Sequence, residues 1–180
     1  MNATAPTLRR SSHVASLFAL AVLLGAAGVQ AQVRQNGQLG TFADWSAFRD
    51  TSGSQPVCYI GSLPKRSAGT YSQRGNTYIQ VTHRPADKSY DVVSVTAGYP
   101  YQPKSQVEVE IDGKDFALYA EGGLAWADDK TDVELVEAMR RGRQLIVRGT
   151  SSRGTQTTDT YSLAGFTAAR NAIEKACPRK

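Results

Sequence analysis

The feature that most constrains this chain is a pair of neighbouring segments that alternate apolar and polar residues around a tight-turn signal. Val107, Val109 and Ile111 alternate with acidic side chains, Asp112-Gly113 follows at once, and residues 116–120 repeat the alternation. A period of two places one set of side chains on each face of a strand. An Asp-Gly pair favours the type I′ turn of a two-residue hairpin. This stretch therefore predicts an antiparallel β-hairpin.

Two further hairpins are predicted by the same reasoning. Residues 144–150 and 157–163 have strand-like patterns on either side of a polar turn, in which Gly154 supplies the positive φ that a tight reversal needs. Residues 77–83 and 89–97 also alternate and flank an Arg-Pro turn. Hairpins are thus expected to make up most of the fold.

Helical spacing is confined to two short stretches. Thr131 and Glu134 have the spacing of a capping box, and Gly142 fits the position just after that helix. Residues 165–176 place apolar side chains at helical intervals. With eight or nine predicted strands, the chain is expected to be mainly β: an antiparallel β-sandwich or flattened barrel with two short marginal α-helices.

The beginning of the chain has the pattern of a secretory signal peptide. Arg9 and Arg10 precede an apolar run at residues 14–29, and Val29-Gln30-Ala31 supplies a small-residue cleavage site. The run is shorter than the about 18–20 residues of a spanning helix, so a cleaved signal is favoured over an anchor. The predicted organisation is a signal peptide at 1–31, a flexible tail at 32–41 and a single β domain at 42–180.

The charge balance argues against a dedicated nucleic-acid protein. The chain has 21 Lys and Arg residues against 16 Asp and Glu residues, a formal charge of +5, and removal of residues 1–31 lowers this to +3 by taking away two arginines and no acid. The remaining positive charges are scattered among carboxylates. We expect no nucleic-acid partner, no transmembrane segment after signal removal, and weak contact at most with an anionic envelope surface.

Cys58 and Cys177 are the only cysteines, and both lie in the part that would be exported. In an oxidising compartment such a pair is more often bridged than free. The alternative, a reactive cysteine, lacks a C-x-x-C motif and a nearby histidine. The sequence therefore predicts a disulfide between Cys58 and Cys177 that ties an early strand to the last helix.

Aromatic residues mark a candidate binding surface. Tyr99 and Tyr101 lie in a loop whose two prolines remove backbone donors and prevent a regular strand. The two rings suit a ligand-stacking platform, and packing of the loop is the alternative interpretation. Trp126 is the third candidate, and together Tyr99, Tyr101 and Trp126 form the predicted binding surface. The basic stretch at 65–76 is predicted to be a solvated loop, with anion contact as the alternative.

Catalytic and metal-binding patterns are sparse. His83 is the only histidine after residue 31, and its place at a strand end favours a capping or solvent-facing role. A zinc site needs three or four ligands, which scattered acids do not supply. Neither a G-x-S-x-G elbow nor a phosphate-binding loop occurs. We expect no metal, no cofactor and no enzymatic activity, with a small periplasmic hydrolase that uses His83 as the enzymatic alternative.

Short motifs are distributed over residues 42–177: Asp44-Trp45, Cys58-Tyr59-Ile60, Thr82-His83-Arg84-Pro85, Gly98-Tyr99-Pro100, Ile111-Asp112-Gly113-Lys114, Trp126, Arg148-Gly149-Thr150, Tyr161-Ser162-Leu163 and Gly165-Phe166. Taken together, they resemble the bacterial invasion associated locus B family. A departure is the absence of a cysteine just after the Asp-Trp strand, where this chain has Phe48-Arg49-Asp50. The family's disulfide arrangement is therefore not carried over.

The resemblance implies an exported β-sandwich of the periplasm or outer envelope, without catalytic residues to carry over. The expected function is non-enzymatic binding of an envelope component or a protein partner, with a contribution to host-cell interaction. The partner is therefore an unknown envelope or host protein. A host-surface adhesin and the hydrolase are the two alternatives.

Overall fold

Antiparallel hairpins account for most of the structure, a computed structural model that describes residues 37–179. Along this part of the chain run eleven strands, two α-helices and one 3-10 turn. The strands are β1 Gln38–Phe42, β2 Trp45–Asp50, β3 Val57–Ser62, β4 Arg66–Gly69, β5 Tyr78–Arg84, β6 Ser89–Thr96, β7 Gln106–Ile111, β8 Lys114–Glu121, β9 Leu124–Trp126, β10 Gln144–Thr150 and β11 Gln156–Ser162. The helices are α1 Asp129–Arg141 and α2 Phe166–Ala176, and the 3-10 turn covers Pro85–Asp87.

The described strands form one antiparallel sheet with the order β1-β2-β3-β5-β6-β9-β8-β7-β10-β11-β4. β3 is third in this order and β4 is last, yet residues 63–65 alone connect them. Because a link of three residues spans little more than about 10 Å, the two ends of the sheet lie close together. The sheet therefore curls back on itself without closing into a barrel. This confirms the prediction of a mainly β, antiparallel fold with two short helices.

Contacts across the two ends hold the curled sheet together. The Trp45 Nε1–H donates to the Ser162 carbonyl at 3.0 Å, across 117 residues of sequence. Just before β4, the Lys65 N–H donates to the Thr160 carbonyl at 2.7 Å. Strands from the beginning and the end of the domain are thus joined directly.

The interior of the curled sheet is apolar. Its largest fully buried side chains include Trp45, Tyr161 and Phe166, from β2, β11 and α2. The Trp45 and Phe166 rings meet edge to face, with centroids 5.0 Å apart. Helix α2 packs against β1, β2 and β3, and α1 packs against β6 and β8. Trp45 is therefore a core residue.

The three predicted hairpins are confirmed. Asp112 and Gly113 both have positive φ, +46° and +87°, as a type I′ turn between β7 and β8 requires. β10 and β11 pair without a break from Gln144↔Ser162 to Thr150↔Gln156. β5 and β6 pair on either side of the 3-10 turn.

Asp128, rather than Thr131, caps α1. The Asp128 Oδ1 accepts from the Thr131 N–H at 2.7 Å, so Thr131 and Glu134, the predicted capping box, both lie within the helix and not at its cap. Gly142 does end the helix, but its φ of −76° suits any residue. A Cβ at Gly142 would lie 2.6 Å from Ile111 Cγ2, so glycine is needed there for close packing.

The predicted disulfide is present. Cys58 of β3 and Cys177, directly after α2, are buried and bonded, with their Cα atoms 6.0 Å apart. The bond fastens the end of α2 to the sheet. In the described part of the chain, no helix is both long and apolar enough to cross a bilayer.

Two segments predicted to be irregular contain the edge strands of the sheet. β1 includes residues 38–41 of the predicted flexible tail, so the β domain begins at Gln38 and not at residue 42. β4 lies within the predicted loop at 65–76 and pairs with β11. Both strands are short and contain glycine, so their own sequences do not predict a strand. They become strands because each pairs with a neighbouring strand of the sheet. The predicted signal at 1–31 and residues 32–36 lie outside the described residues.

Candidate functional site

The structure brings Tyr99 and Tyr101 together. Their rings meet edge to face, with centroids 5.4 Å apart. Tyr101 is only 4% exposed, and burial raises the pKa of its hydroxyl above the usual range. Tyr99 is half-buried, and its hydroxyl lies 2.6 Å from Thr157 Oγ1. Tyr101 therefore packs the loop down, and Tyr99 is the ring of the pair that remains accessible to a ligand.

Trp126 makes no ring contact with this pair. It is half-buried on β9, where it is the cross-strand neighbour of Ser94 on β6 and Tyr119 on β8. The ring contacts found among the described residues join Tyr99 to Tyr101 and do not include Trp126. A binding role for these three residues stays a prediction.

A buried ion pair supports the accessible tyrosine. Arg74 donates to Asp159 from both terminal nitrogens, at 2.7 and 2.5 Å, and its Nε–H donates to the Ala97 carbonyl at 2.7 Å. The guanidinium carbon lies 5.5 Å from the Tyr71 ring centroid and 5.1 Å from that of Tyr99. The predicted solvated loop therefore sends one of its basic residues into the protein, where it fixes two aromatic rings.

A polar pocket of about 320 Å³ opens beside these rings. Eight of its twelve lining residues carry a hydroxyl, one is an arginine and none is acidic. The loop after β4, the loop before β7, the β10–β11 turn and the start of β11 supply them. We call this the hydroxyl pocket and define it by Thr70, Tyr71, Tyr99, Ser152, Arg153 and Thr155.

A larger cleft, of about 910 Å³, lies on the outer face of β2, β3 and β5. The Phe48 and Tyr59 rings stack in it, with centroids 5.1 Å apart and an interplanar angle of 20°. Leu63, at its border, is 67% exposed. We call it the aromatic cleft and define it by Phe48, Tyr59, Leu63, Lys65, Tyr78 and Gln80.

Sequence reasoning missed the aromatic cleft, although the sequence carries a signal for it. Phe48 and Tyr59 occupy positions that alternate with the buried residues of their strands, so they point outward. The β2–β3 register places them directly opposite each other. Aromatic residues at outward positions of successive strands indicate an exposed apolar surface, and such surfaces often have a function.

His83 is buried, which corrects the prediction that it caps a strand or faces solvent. Its side chain is fully inaccessible, and Nε2 lies 2.9 Å from Asp91 Oδ1. Arg170 from α2 donates to both oxygens of Asp91, at 2.9 and 2.7 Å, and Arg179 also contacts this carboxylate. The imidazole thus belongs to a buried network that joins β5, β6 and α2, where a substrate has no path to it.

Three acidic groups, Glu108, Glu110 and Asp115, lie within 4.8 Å of one another on the surface. Arg148 donates to Glu108 at 2.5 Å and to Glu110 at 2.7 Å. A guanidinium already neutralises two of the three carboxylates. The arrangement is that of an exposed cross-strand ion-pair network.

These features define a small, disulfide-bonded, mainly antiparallel β protein with surface clefts. The chain belongs to the invasion associated locus B family: the family model described as invasion associated locus B (IalB) protein matches residues 45–174. The crystal structure of invasion associated protein B from Bartonella henselae is similar, with a TM-score of 0.51. Identity is 18%, and the match covers 76% of this chain and 96% of that chain, so the likeness shows the fold. No curated protein matches the chain.

Proposed function

We propose that this protein is exported to the cell envelope and binds a protein partner there through the aromatic cleft, without catalysis. The observation that carries the proposal is the open cleft of about 910 Å³ with the stacked Phe48–Tyr59 pair inside it. Contiguous apolar surface is unusual on a soluble domain unless it meets a partner. Aromatic residues are also enriched at protein interfaces.

The chemistry of the cleft favours a protein over a lipid surface. Its rings lie among polar groups, and at one side Lys65 Nζ donates to Asp44 Oδ1 at 2.8 Å. An aromatic centre with a polar, charge-balanced rim is the usual anatomy of a protein interface. Anionic membranes instead attract clusters of unpaired lysine and arginine. The expected partner presents an apolar side chain to Phe48 and Tyr59 and uncharged polar groups to the rim.

Export and the non-enzymatic role have separate support. The Cys58–Cys177 disulfide suits an oxidising compartment, and the pattern at 1–31 is that of a secretory signal. The burial of His83 removes the best candidate for a general base. The name of the similar Bartonella protein supports a role in host-cell contact. The partner is then a protein of the envelope or of a host surface.

Site-specific photocrosslinking tests the partner. A photoreactive phenylalanine analogue replaces Tyr59 in cells that naturally produce the protein, and a matched control carries it at Tyr119, which is 55% exposed on β8. We expect a discrete protein adduct from position 59 and not from position 119. A second substitution, Leu63→Asp, should abolish the adduct while the purified variant keeps its thermal unfolding midpoint.

Two results would overturn the proposal. One is equal crosslinking from positions 59 and 119. The other is an adduct at position 59 that contains only lipid or glycan. For a partner that passes both tests, the purified proteins should bind directly, and Phe48→Ala should weaken the binding by at least about tenfold, the loss typical of an interface hot spot.

Export is tested by the intact mass of the protein recovered from the envelope fraction. Cleavage after Ala31 gives a chain that begins at Gln32, with one disulfide. A mass that still includes Met1 would contradict a cleaved signal.

A further inference from the structure

The hydroxyl pocket has no part in the proposed protein-binding function. We infer that it is a second, independent site, and that it binds a saccharide that carries a carboxylate. The pocket volume of about 320 Å³ lies at the lower end of the range of about 300–1,000 Å³ for small-ligand sites. That size suits one sugar ring and not a long polymer segment.

Hydrogen-bonding capacity at the pocket is largely unused by the protein. Among the described residues, the side-chain hydrogen bonds at the pocket are the Tyr99–Thr157 contact and two that Ser151 Oγ accepts from backbone N–H groups of its own turn. The hydroxyls of Thr70, Ser152 and Thr155 make none. Each of these hydroxyls both donates and accepts, as sugar hydroxyls do. A pocket of this kind favours a polyhydroxylated ligand.

Tyr71 gives the pocket a flat wall. Tyr71 is 39% exposed, and the buried Arg74 guanidinium packs against its ring. Because Arg74 is itself fixed by Asp159, the ring is positioned before a ligand arrives, which lowers the entropy cost of binding. The exposed ring offers an apolar surface to the C–H bonds of a sugar.

The charge of the pocket favours an acidic ligand. Arg153 lies in the β10–β11 turn, and its guanidinium makes no salt bridge within residues 37–179. The nearby carboxylate of Asp159 is neutralised by Arg74. A guanidinium binds a carboxylate through two parallel hydrogen bonds. Arg153 is thus placed to select a sugar acid over its neutral counterpart.

Such a ligand has two sources, the bacterial cell wall and host glycans. The test is an NMR titration of the mature, disulfide-bonded protein at constant ionic strength. N-acetylmuramic acid represents the first source, and N-acetylneuraminic acid and glucuronic acid represent the second. N-acetylglucosamine is the neutral control, and inorganic phosphate is the anion control.

We expect at least one sugar acid to shift amide signals of residues 70–73 and 151–157, with a Kd about tenfold lower than that of N-acetylglucosamine, as one charge-assisted contact provides. Arg153→Gln should remove this tenfold preference. Tyr71→Ala should weaken the binding of every sugar, acidic or neutral. Arg143→Gln is the matched control, since that side chain is 92% exposed and outside the pocket, and it should change nothing.

Three outcomes would overturn the inference. Equal affinity for acidic and neutral sugars contradicts the role of Arg153. Equal shifts with phosphate contradict saccharide recognition. Absence of shifts at tens of millimolar of every sugar contradicts the site itself. None of these outcomes concerns the crosslinking at Tyr59, so the two proposals stand or fall separately.

Discussion

Arg74 and Asp159 form a two-point ion pair that is almost completely buried, with side chains 6% and 3% exposed. The pair joins the loop after β4 to β11, and Ser67 of β4 donates to the same carboxylate at 2.6 Å. It thereby fastens one edge of the sheet and fixes the rings of Tyr71 and Tyr99. Stability of this edge and the shape of the hydroxyl pocket depend on the same contact.

Asp159→Asn is expected to lower the free energy of unfolding by about 3–5 kcal/mol, because it leaves the Arg74 charge buried without its partner. Urea denaturation measures the change. The matched control is Glu137→Gln, which breaks pairs with Arg140 and Arg141 on the exposed face of α1 and should cost at most about 1 kcal/mol. If both variants lost the same free energy of unfolding, the buried pair would contribute no more to stability than an exposed one.

Asp132 is expected to make the protein less stable as pH rises from about 4 to about 7. Burial raises the pKa of its carboxyl to about 7; the hydrogen bond from Val93 N–H opposes the rise, and Asp129, Asp128 and Asp91 add to it. The unfolded value is about 4, so the folded protein holds this proton more tightly over that range. Asp132→Asn should flatten the profile and, at pH 8, raise the free energy of unfolding by roughly 2–4 kcal/mol.

Asp91 acts in a separate, lower pH window. Burial raises the pKa of its carboxyl, but hydrogen bonds from His83 and Arg170 outweigh burial and hold the pKa well below its usual range. Its contribution is therefore present above about pH 4 and is lost as pH falls below that value. The difference between the urea-denaturation profiles of the parent protein and Asp132→Asn from about pH 5 to pH 8 isolates Asp132, because every other titrating group is common to both proteins. Parallel profiles of the parent protein and Asp132→Asn would contradict the Asp132 prediction.

Removal of the disulfide in a Cys58→Ala, Cys177→Ala double variant should cost about 4–5 kcal/mol, since the bond closes a loop with a sequence separation of 119. Hydrogen exchange should show the largest loss of protection in α2, whose end the bond fastens. The control is the parent protein under the same conditions with and without reductant. Equal protection of α2 in the double variant would show that packing alone holds the helix.

Gly142→Ala should destabilise the protein by about 1–3 kcal/mol through overpacking, because its Cβ would lie 2.6 Å from Ile111 Cγ2 and 2.9 Å from Leu163 Cδ1. The matched control is Gly53→Ala, where the nearest atom to the new Cβ is 3.8 Å away. That change should stay within about 0.5 kcal/mol. Thermal unfolding compares the two. A similar effect of both would rule out the packing explanation.

The alternation of apolar and polar residues was enough to predict the hairpins. The two strands of each hairpin are close in sequence, and the turn between them has its own signal, as at Asp112-Gly113. Alternation could not predict β1 or β4, whose strand character comes from pairing with a neighbour. His83 is buried beside Asp91, and Asp91 also binds Arg170, which lies 79 residues further along the chain. No local sequence pattern predicts a contact between residues so far apart in the chain.

For the candidate sites too, contacts between residues close in sequence were predictable, and contacts between distant segments were not. Tyr99 and Tyr101 were predicted as a pair because they are neighbours in the sequence, and the structure confirms their contact. The hydroxyl pocket combines residues near 70, 99 and 153, and the aromatic cleft combines three strands and the link at 63–65. Both depend on how the sheet curls, which alternation within single strands does not determine.

The short link between β3 and β4 has a consequence for the order of events during synthesis. β4 needs β11 as its partner, and Trp45 of β2 needs the carbonyl of Ser162. A nascent chain that has emerged only as far as α1 therefore lacks the strand that joins both ends of the sheet. Folding of the sheet is therefore completed only after the last quarter of the domain has left the ribosome.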